Sequence, residues 1–257
     1  MSAKSLVSVV IPCYNQGHLL TETVNSVMAS DYPVEIILVN DGSTDHTEAI
    51  AKNLGLHHPH IKYIAQSNGG PSKARNRGIE LAQGKYILPL DGDDIIAPNY
   101  ISSALNVLES RPEVKVVYCR AEKFGTKIGP WNLKSFTLQN LAVDNMIFVS
   151  ALYRKSDWEA IGGYAEEMTW GYEDWEFWIS MLKNGGKVVQ LPFVGFFYRT
   201  SPVSRRKSVK REGKRKTIAY LNKKHKDFLF KYLDGPLRNS RTHSKKINRL
   251  LRIFYRL

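Results

Sequence analysis

The chain has 257 residues, 43% of them hydrophobic, and a formal net charge of +13. A chain this apolar can bury a sizeable core, which excludes a disordered protein. Its two cysteines exclude a disulfide framework, and it has no run of about 18 apolar residues that would span a membrane.

The first residues, MSAKSLVSVVIPCYN, hold too short an apolar stretch before Pro12 for a signal peptide, so a reducing, cytoplasmic setting is expected. Leu6–Ile11, Val34–Val39, Ile61–Ala65 and Lys85–Leu90 read as strands. They are short, rich in Val and Ile and apolar on both faces, as in a parallel sheet covered by helices. Between the first two strands, Leu20, Val24, Val27 and Met28 keep helical spacing. Asp45 to Leu54 predicts a second helix, with Ser43 or Thr44 as N-cap. Pro71 to Ala82 predicts a third, with Pro71 suited to the first turn. Pro98 to Leu108 predicts a fourth. This alternation is that of a doubly wound α/β sheet, whose ligands bind beyond the carboxyl ends of the strands. Further on, Val114–Cys119, Ile147–Tyr153 and Phe193–Tyr198 read as strands and Glu173 to Lys183 as a helix.

Residues 1–204 carry 18 basic and 21 acidic side chains, whereas residues 205–257 carry 19 and 3. The chain therefore divides into a nearly neutral α/β domain, 1–204, and a basic, helical C-terminal extension, 205–257. In the extension Arg205–Lys216 is a dense basic run, and Ile218, Leu221, Phe228 and Tyr232 keep helical spacing. Ile247, Leu250, Leu251, Phe254 and Leu257 share one face of a final basic amphipathic helix.

Four clusters fall where such a sheet would present them to a ligand. Pro12-Cys13-Tyr14-Asn15 follows the first strand; it is either an ordinary strand-ending turn or a ligand-facing one with Tyr14 as a flat wall. Asn40-Asp41-Gly42-Ser43-Thr44-Asp45 follows the second and is either an Asx turn or a carboxylate offered to a base or ribose. Asp91-Gly92-Asp93-Asp94 follows the fourth. Three carboxylates in four residues repel one another unless a hard cation, Mg²⁺ or Mn²⁺, sits among them. Gly171 to Trp178 places Glu173 and Asp174 at a helix start, where negative charge is favoured. Trp170, Trp175 and Trp178 read as core.

Together, VSVVIPCYN (7–15), VEIILVNDGSTD (34–45), NGGPSKARNRGI (68–79), GKYILPLDGDD (84–94) and GYEDWEFW (171–178) resemble a family 2 glycosyltransferase with the nucleotide-sugar-binding GT-A fold. The resemblance covers roughly residues 5–200. It implies that Pro12 and Tyr14 contact the nucleoside and that Asp41 accepts from the base. It implies that Gly70, Lys73 and Arg75 line the nucleotide pocket, Arg75 near base or phosphate. Asp91 would touch ribose or sugar, and Gly92 sits between it and Asp93. Asp93, with Asp91, would hold the Mg²⁺ or Mn²⁺ that bridges the diphosphate, with Asp94 orienting them. Asp174 matches the catalytic base, with Glu173 beside it. The implied reaction is inverting transfer of a sugar from a UDP- or dTDP-linked donor to the hydroxyl of a glycan or lipid-linked acceptor, in cell-surface polysaccharide synthesis. The chain departs from the pattern at Ser201, about where many relatives carry a His.

Two other classes compete. A metal-dependent nucleotidyltransferase needs a Gly-rich basic loop after the first strand, which Pro12 to Gly17 lacks. A nucleic-acid-binding protein needs aromatics interleaved with the basic run, and Arg205–Lys216 has none. No nucleic acid is expected. The extension is expected instead to hold the protein at an anionic membrane surface, peripherally on the cytoplasmic face.

Overall fold

A computed structural model of the chain describes residues 7–202 and 211–254. Leu6, the 205–210 part of the basic run, the boundary at 204 and Leu257 lie outside the described residues, as does the side chain of Phe254. The chain runs β1 (Val7–Cys13), α1 (Gly17–Met28), β2 (Val34–Asp41), α2 (Thr47–His57), β3 (Ile61–Gln66), α3 (Pro71–Leu81), β4 (Tyr86–Pro89), β5 (Ile95–Ile96) and α4 (Tyr100–Ser110). Then come β6 (Val114–Gly125), β7 (Gly129–Pro130), α5 (Leu138–Leu141), β8 (Leu152–Arg154), α6 (Lys155–Ile161), α7 (Glu173–Leu182) and β9 (Lys187–Thr200).

One sheet carries all the strands in the order β3-β2-β1-β4-β8-β6-β9-β5, with β7 on β6. The first four are parallel, and every residue of β1 and β2 is buried, as their unbroken apolar runs require. Beyond β4 the sheet is mixed: β8 is antiparallel to both β4 and β6, β9 is parallel to β6, and β5 is antiparallel to β9.

Two local expectations shift here. The strand expected over Ile147–Tyr153 shrinks to Leu152–Arg154, because carbonyls ahead of it are taken by side chains. Trp178 Nε1 donates to Ile147 O at 2.9 Å, and the Tyr100 hydroxyl to Ser150 O at 2.7 Å. The α2 helix is entered through Asp45 rather than Ser43 or Thr44: Asp45 Oδ1 accepts from Thr47 N at 2.9 Å. Ser43 instead accepts from Asn15 N at 3.0 Å, which ties the loops after β1 and β2 together.

The C-terminal residues form α8 (Arg211–Lys224), α9 (Lys226–Leu233), a 3₁₀ turn (Arg241–His243) and α10 (Ser244–Phe254). Leu221, Phe228, Leu229, Leu233 and Leu237 are buried in the same apolar cluster as the sheet. Polar ties accompany them. Buried Glu176 of α7 accepts from Ser180 Oγ at 2.6 Å, and its Oε1 lies 2.8 Å from His225 Nε2 and 3.0 Å from Lys224 Nζ. Trp170 Nε1 donates to Thr217 Oγ1 at 3.0 Å.

The α10 helix is turned differently from the pattern. Its buried positions are Ser244 and Asn248, while Leu250 is 48% and Ile253 69% exposed. Asn248 sets that rotation: its amide donates to Leu233 O and Pro236 O, both at 2.9 Å, and so satisfies carbonyls at the end of α9. No helix among the described residues is long and apolar enough to cross a membrane.

Candidate functional site

Register brings the clusters after β1, β2 and β4 to one edge of the sheet. Cys13 pairs with Asn40, Asp41 with Gln66, and Val10 with Pro89, so Tyr14, Asp41, Gln66 and Asp91 all emerge at the carboxyl ends of parallel strands. Because β8 runs the other way, the segment leading into it, from Asn145, arrives at that same edge. Pro12 is buried within β1, and Tyr14 is 49% exposed. Asn15 holds the turn at φ 54°, and its Oδ1 accepts from Thr44 N at 2.8 Å.

Asp41 is 2% exposed and clamps the turn ahead of α3. Its Oδ1 accepts from Gln66 Nε2 at 2.7 Å and Gly69 N at 2.9 Å, and its Oδ2 from Gly70 N at 2.8 Å. Three donors therefore occupy the carboxylate that the sequence reading offers to a base. Gly70 stands at φ 85°, ψ 168°, a region essentially confined to glycine, and a Cβ there would meet nothing within 4 Å. Glycine is needed at this position for its backbone and not for space. Lys73 is exposed on the first turn of α3.

Arg75 differs from the expectation of a base or phosphate contact. It is 3% exposed and joins the two acidic clusters: Nη2 lies 2.7 Å from Asp91 Oδ1 and Nη1 3.1 Å from Glu173 Oε1. Burial disfavours its charge, but Asp91 and Glu173 outweigh burial and hold the guanidinium above its ordinary range. Its planar fork fixes Asp91 of the β4 loop against the start of α7. Glu173 is correspondingly buried, with Oε1 held by Arg75.

Asp174 is half-buried one residue on. Its Oδ2 accepts from Asn145 Nδ2 at 2.8 Å and its Oδ1 from Trp175 N at 2.8 Å. Burial, then the charge of Glu173, push its carboxyl up to about 7 despite the nearby Arg75. A carboxyl poised near neutrality is suited to general-base work. Trp175 and Trp178 are core, as expected, with their indole N–H groups bonded to Leu141 O and Ile147 O.

The acidic loop divides by direction. Asp91 and Asp93 are part-exposed, and Gly92 between them is buried, where a Cβ would fall 2.7 Å from Gln16 Oε1. Burial, then the charge of Asp91, push Asp93 up to about 6. Asp94 is 1% exposed and turned inward to accept from Arg199 N at 2.8 Å. Burial, Asp93 and Asp91 raise its carboxyl well above the usual range. Arg199 braces the loop from beneath, donating from Nε to Asp93 O at 2.7 Å and pairing with Glu22. One of its side-chain donors is thus on the loop and another on Glu22 of α1. Sequence patterns gave no sign of the Arg199 brace or of the side-chain hydrogen bond between Gln16 and Asp93.

Among the described residues no group of three or more His, Cys, Asp or Glu is arranged to hold a metal. The site nevertheless fits a hard divalent cation in a minimal way. Asp91 and Asp93 supply oxygen donors only, and the elevated Asp93 records a like-charge conflict that a cation would relieve. Remaining ligands would come from a diphosphate and water. Cys13 and Cys119 are buried thiols pushed up to about 12, which makes them unreactive.

The family model described as glycosyl transferase family 2 matches residues 8–171, and one described as N-terminal domain of galactosyltransferase matches residues 149–202. The uncharacterized glycosyltransferase YibD of Escherichia coli is 37% identical over 123 residues, 48% of this chain. That match spans 36% of the length of the relative. The structure of S. aureus TarS 1–349 in complex with UDP superimposes with a TM-score of 0.68 at 25% identity, over 88% of this chain and 70% of that one. The mannosyltransferase PcManGT of Pyrobaculum calidifontis, in complex with GDP-Man and Mn²⁺, gives 0.66 at 19% identity, over 85% and 65%. The latter likeness concerns the fold.

Proposed function

The chain belongs to glycosyltransferase family 2, and from that premise we propose that it transfers a sugar from a nucleotide diphosphate donor to an acceptor hydroxyl with inversion. The observation that carries this reading is the Asp91–Arg75–Glu173 bridge, which sets an acidic strand-end loop beside a carboxyl, Asp174, poised near 7.

Tyr14 and the turn held by Asp41 would receive the nucleoside, with Lys73 at the rim. A UDP- or dTDP-linked donor is favoured by the likeness to a UDP complex. Asp93 and Asp91 would hold Mg²⁺ or Mn²⁺, which when bound neutralises charge on the departing diphosphate. Asp174 takes the proton from the acceptor hydroxyl. The oxygen forms its bond to the anomeric carbon as the bond from that carbon to the diphosphate oxygen breaks in line. Asn145 fixes the Asp174 carboxylate while Glu173 and Arg75 hold the helix start. One base suffices for inversion, whereas retention by double displacement would need a carboxylate nucleophile under the sugar.

The test is a donor panel scored by nucleotide release, with the product anomer read by NMR. Nucleoside diphosphate release with an inverted product supports the reading. Pyrophosphate release from nucleoside triphosphates would replace it with nucleotidyl transfer, and salt-sensitive RNA or DNA binding without either release would replace it with a binding function.

We also infer peripheral attachment to the cytoplasmic face of an anionic membrane, where a lipid-linked or cell-surface glycan acceptor would be met. Leu250 and Ile253 are exposed on α10 beside Lys246, Arg249 and Arg252. Removing residues 205–257 would strip Leu221, Phe228, Leu229 and Leu233 from the core, so the test is substitution. Leu250→Gln/Ile253→Gln should release the protein from anionic vesicles in sedimentation. Undiminished sedimentation would sink this attachment.

A further inference from the structure

A cavity of about 340 Å³ is lined by Tyr172 and Trp175, which flank Asp174 in sequence, and none of the expected site residues lines it. Its walls are Tyr172 and Trp175 at the start of α7, Arg211, Lys214 and Arg215 on the first turns of α8, and Arg241. Four cations therefore surround one aromatic-walled space. Among the described residues no carboxylate pairs with Arg211, Lys214 or Arg215. Only Arg241 is paired, with Asp144 Oδ1 at 2.9 Å. Its guanidinium also stands 5.4 Å from the Trp175 ring centroid and 5.9 Å from that of Tyr172.

The cavity is wired to the base. Asp144 Oδ1, which holds Arg241, also accepts from Asn145 N at 3.0 Å, and Asn145 Nδ2 donates to Asp174 Oδ2 at 2.8 Å. Tyr172 sits immediately before Glu173 with φ 65°, a left-handed conformation that a bulky residue adopts only when its surroundings impose it. This conformation places the Tyr172 side chain in the cavity wall. Asp174 also adjoins Glu173, which Arg75 links to Asp91 and the donor-side loop. The base thus stands between a donor half built on acidic loops and a second half built on unpaired cations.

We propose that this cavity is the acceptor subsite and that the acceptor carries a phosphate ester or diphosphate close to its reactive hydroxyl. The assignment rests on the glycosyl-transfer reading, but the anion site itself does not. Arg211, Lys214, Arg215 and Arg241 take the phosphate oxygens by charge-assisted hydrogen bonds. Tyr172 offers its face to the adjoining ring or polyol, and the hydroxyl beyond it lies toward Asp174. Arg211, Lys214 and Arg215 are exposed, and among the described residues no carboxylate pairs with them, so an anion would reach them directly from solvent.

The experiment titrates inorganic pyrophosphate into the full chain by calorimetry with UDP saturating, so that the donor side is blocked. Lys214→Gln/Arg215→Gln is compared with Lys127→Gln/Lys134→Gln, which removes the same charge from exposed positions outside the cavity. Loss of two charge-assisted contacts should weaken pyrophosphate about tenfold or more in the first variant, and the second should bind as the wild type does. Equal affinity in all three proteins, or equal loss in both variants, overturns the proposal. In a transfer arm, a soluble polyol phosphate oligomer and a lipid diphosphate in vesicles are each compared with an unphosphorylated counterpart. Whichever phosphorylated acceptor shows the lower KM identifies the source, and equal KM for phosphorylated and unphosphorylated acceptors also overturns it. Absence of nucleotide release from every donor would defeat the glycosyl-transfer reading alone, since the pyrophosphate titration still reports on the cavity.

Discussion

Asp174→Asn separates function from stability in a way the structure quantifies. A carboxyl whose pKa stands at about 7 instead of 3.8 has its ionised form penalised in the folded state by about 4 kcal/mol, at about 1.36 kcal/mol per pK unit. Its folded pKa is raised, so the penalty is absent below the unfolded value. It grows as pH rises from about 4 to 7 and is constant above. Asparagine removes this penalty but keeps only one of the two acceptor bonds, to Trp175 N or to Asn145 Nδ2. That loss costs about 2 kcal/mol. The variant should therefore be more stable than the wild type by about 2 kcal/mol at pH 8 and less stable by a similar amount at pH 4. Urea denaturation of both proteins at pH 4, 6 and 8 reads the difference. Turnover should fall by about 10² to 10⁴, the range of a lost general base, with donor binding retained. The wild-type kcat/KM should rise with pH through about 7 as the carboxyl loses its proton, and the residual activity of the variant should lack that limb. Turnover within about twofold of wild type, or a stability difference that does not change with pH, would refute the assignment.

Asp93→Ala should abolish the metal dependence of donor binding in calorimetry, and in the wild type that dependence should weaken as pH falls below about 6, where Asp93 takes up a proton. Metal dependence unchanged in the variant would count against Asp93 as a ligand. Leu221→Ala should cost about 2–5 kcal/mol in urea denaturation, because Leu221 is fully buried in the cluster that includes the sheet; a loss below about 1 kcal/mol would detach α8 from the core. Gly70→Ala should cost about 1–3 kcal/mol from backbone strain alone. By loosening the turn held by Asp41 it should also weaken UDP binding, and an unchanged affinity would show that the turn does not meet the nucleotide.

The parallel half of the sheet was legible because β1, β2 and β4 are buried along their whole length and so are short and mostly apolar. The helices between them were legible for a complementary reason, each burying one stripe. The mixed half was not, since Ile147 to Ala151 has strand-like composition while its carbonyls go to Trp178 and Tyr100. Those are contacts between distant positions, which local pattern does not carry. The same limit applies to the site. Spacing could put Asp91, Asp93 and Asp174 near ligands, since strand ends and a helix start are local features. Whether Arg75 points to a phosphate or between two carboxylates depends on where α7 lands, 98 residues later in sequence. From sequence Asn145 could line an acceptor pocket or serve structure, and its bond to Asp174 exists because β8 runs antiparallel to β4.

The charge of the C-terminal residues resolves into groups with different tasks. Lys216, Lys224 and Arg249 are neutralised locally by Glu212, Glu176 and Asp234. Arg238 is bonded to Asn248 and helps fix α10. Arg211, Lys214, Arg215 and Arg241 converge on the cavity beside Asp174. Arg211, Lys214 and Arg215 are exposed there, as are Lys223, Lys226, Lys246 and Arg252. A membrane would therefore feel the sequence total less those locally paired cations, at about 1 kcal/mol per basic residue near the surface. Surface attachment must then draw on the exposed Leu250 and Ile253 as well. The two uses also differ in kind. Scattered lysines act through a field that salt screens within about 8 Å, whereas cations grouped around Tyr172 and Trp175 would act at contact. The basic excess thus combines a general attraction to an anionic surface with a specific seat for one anion next to the base.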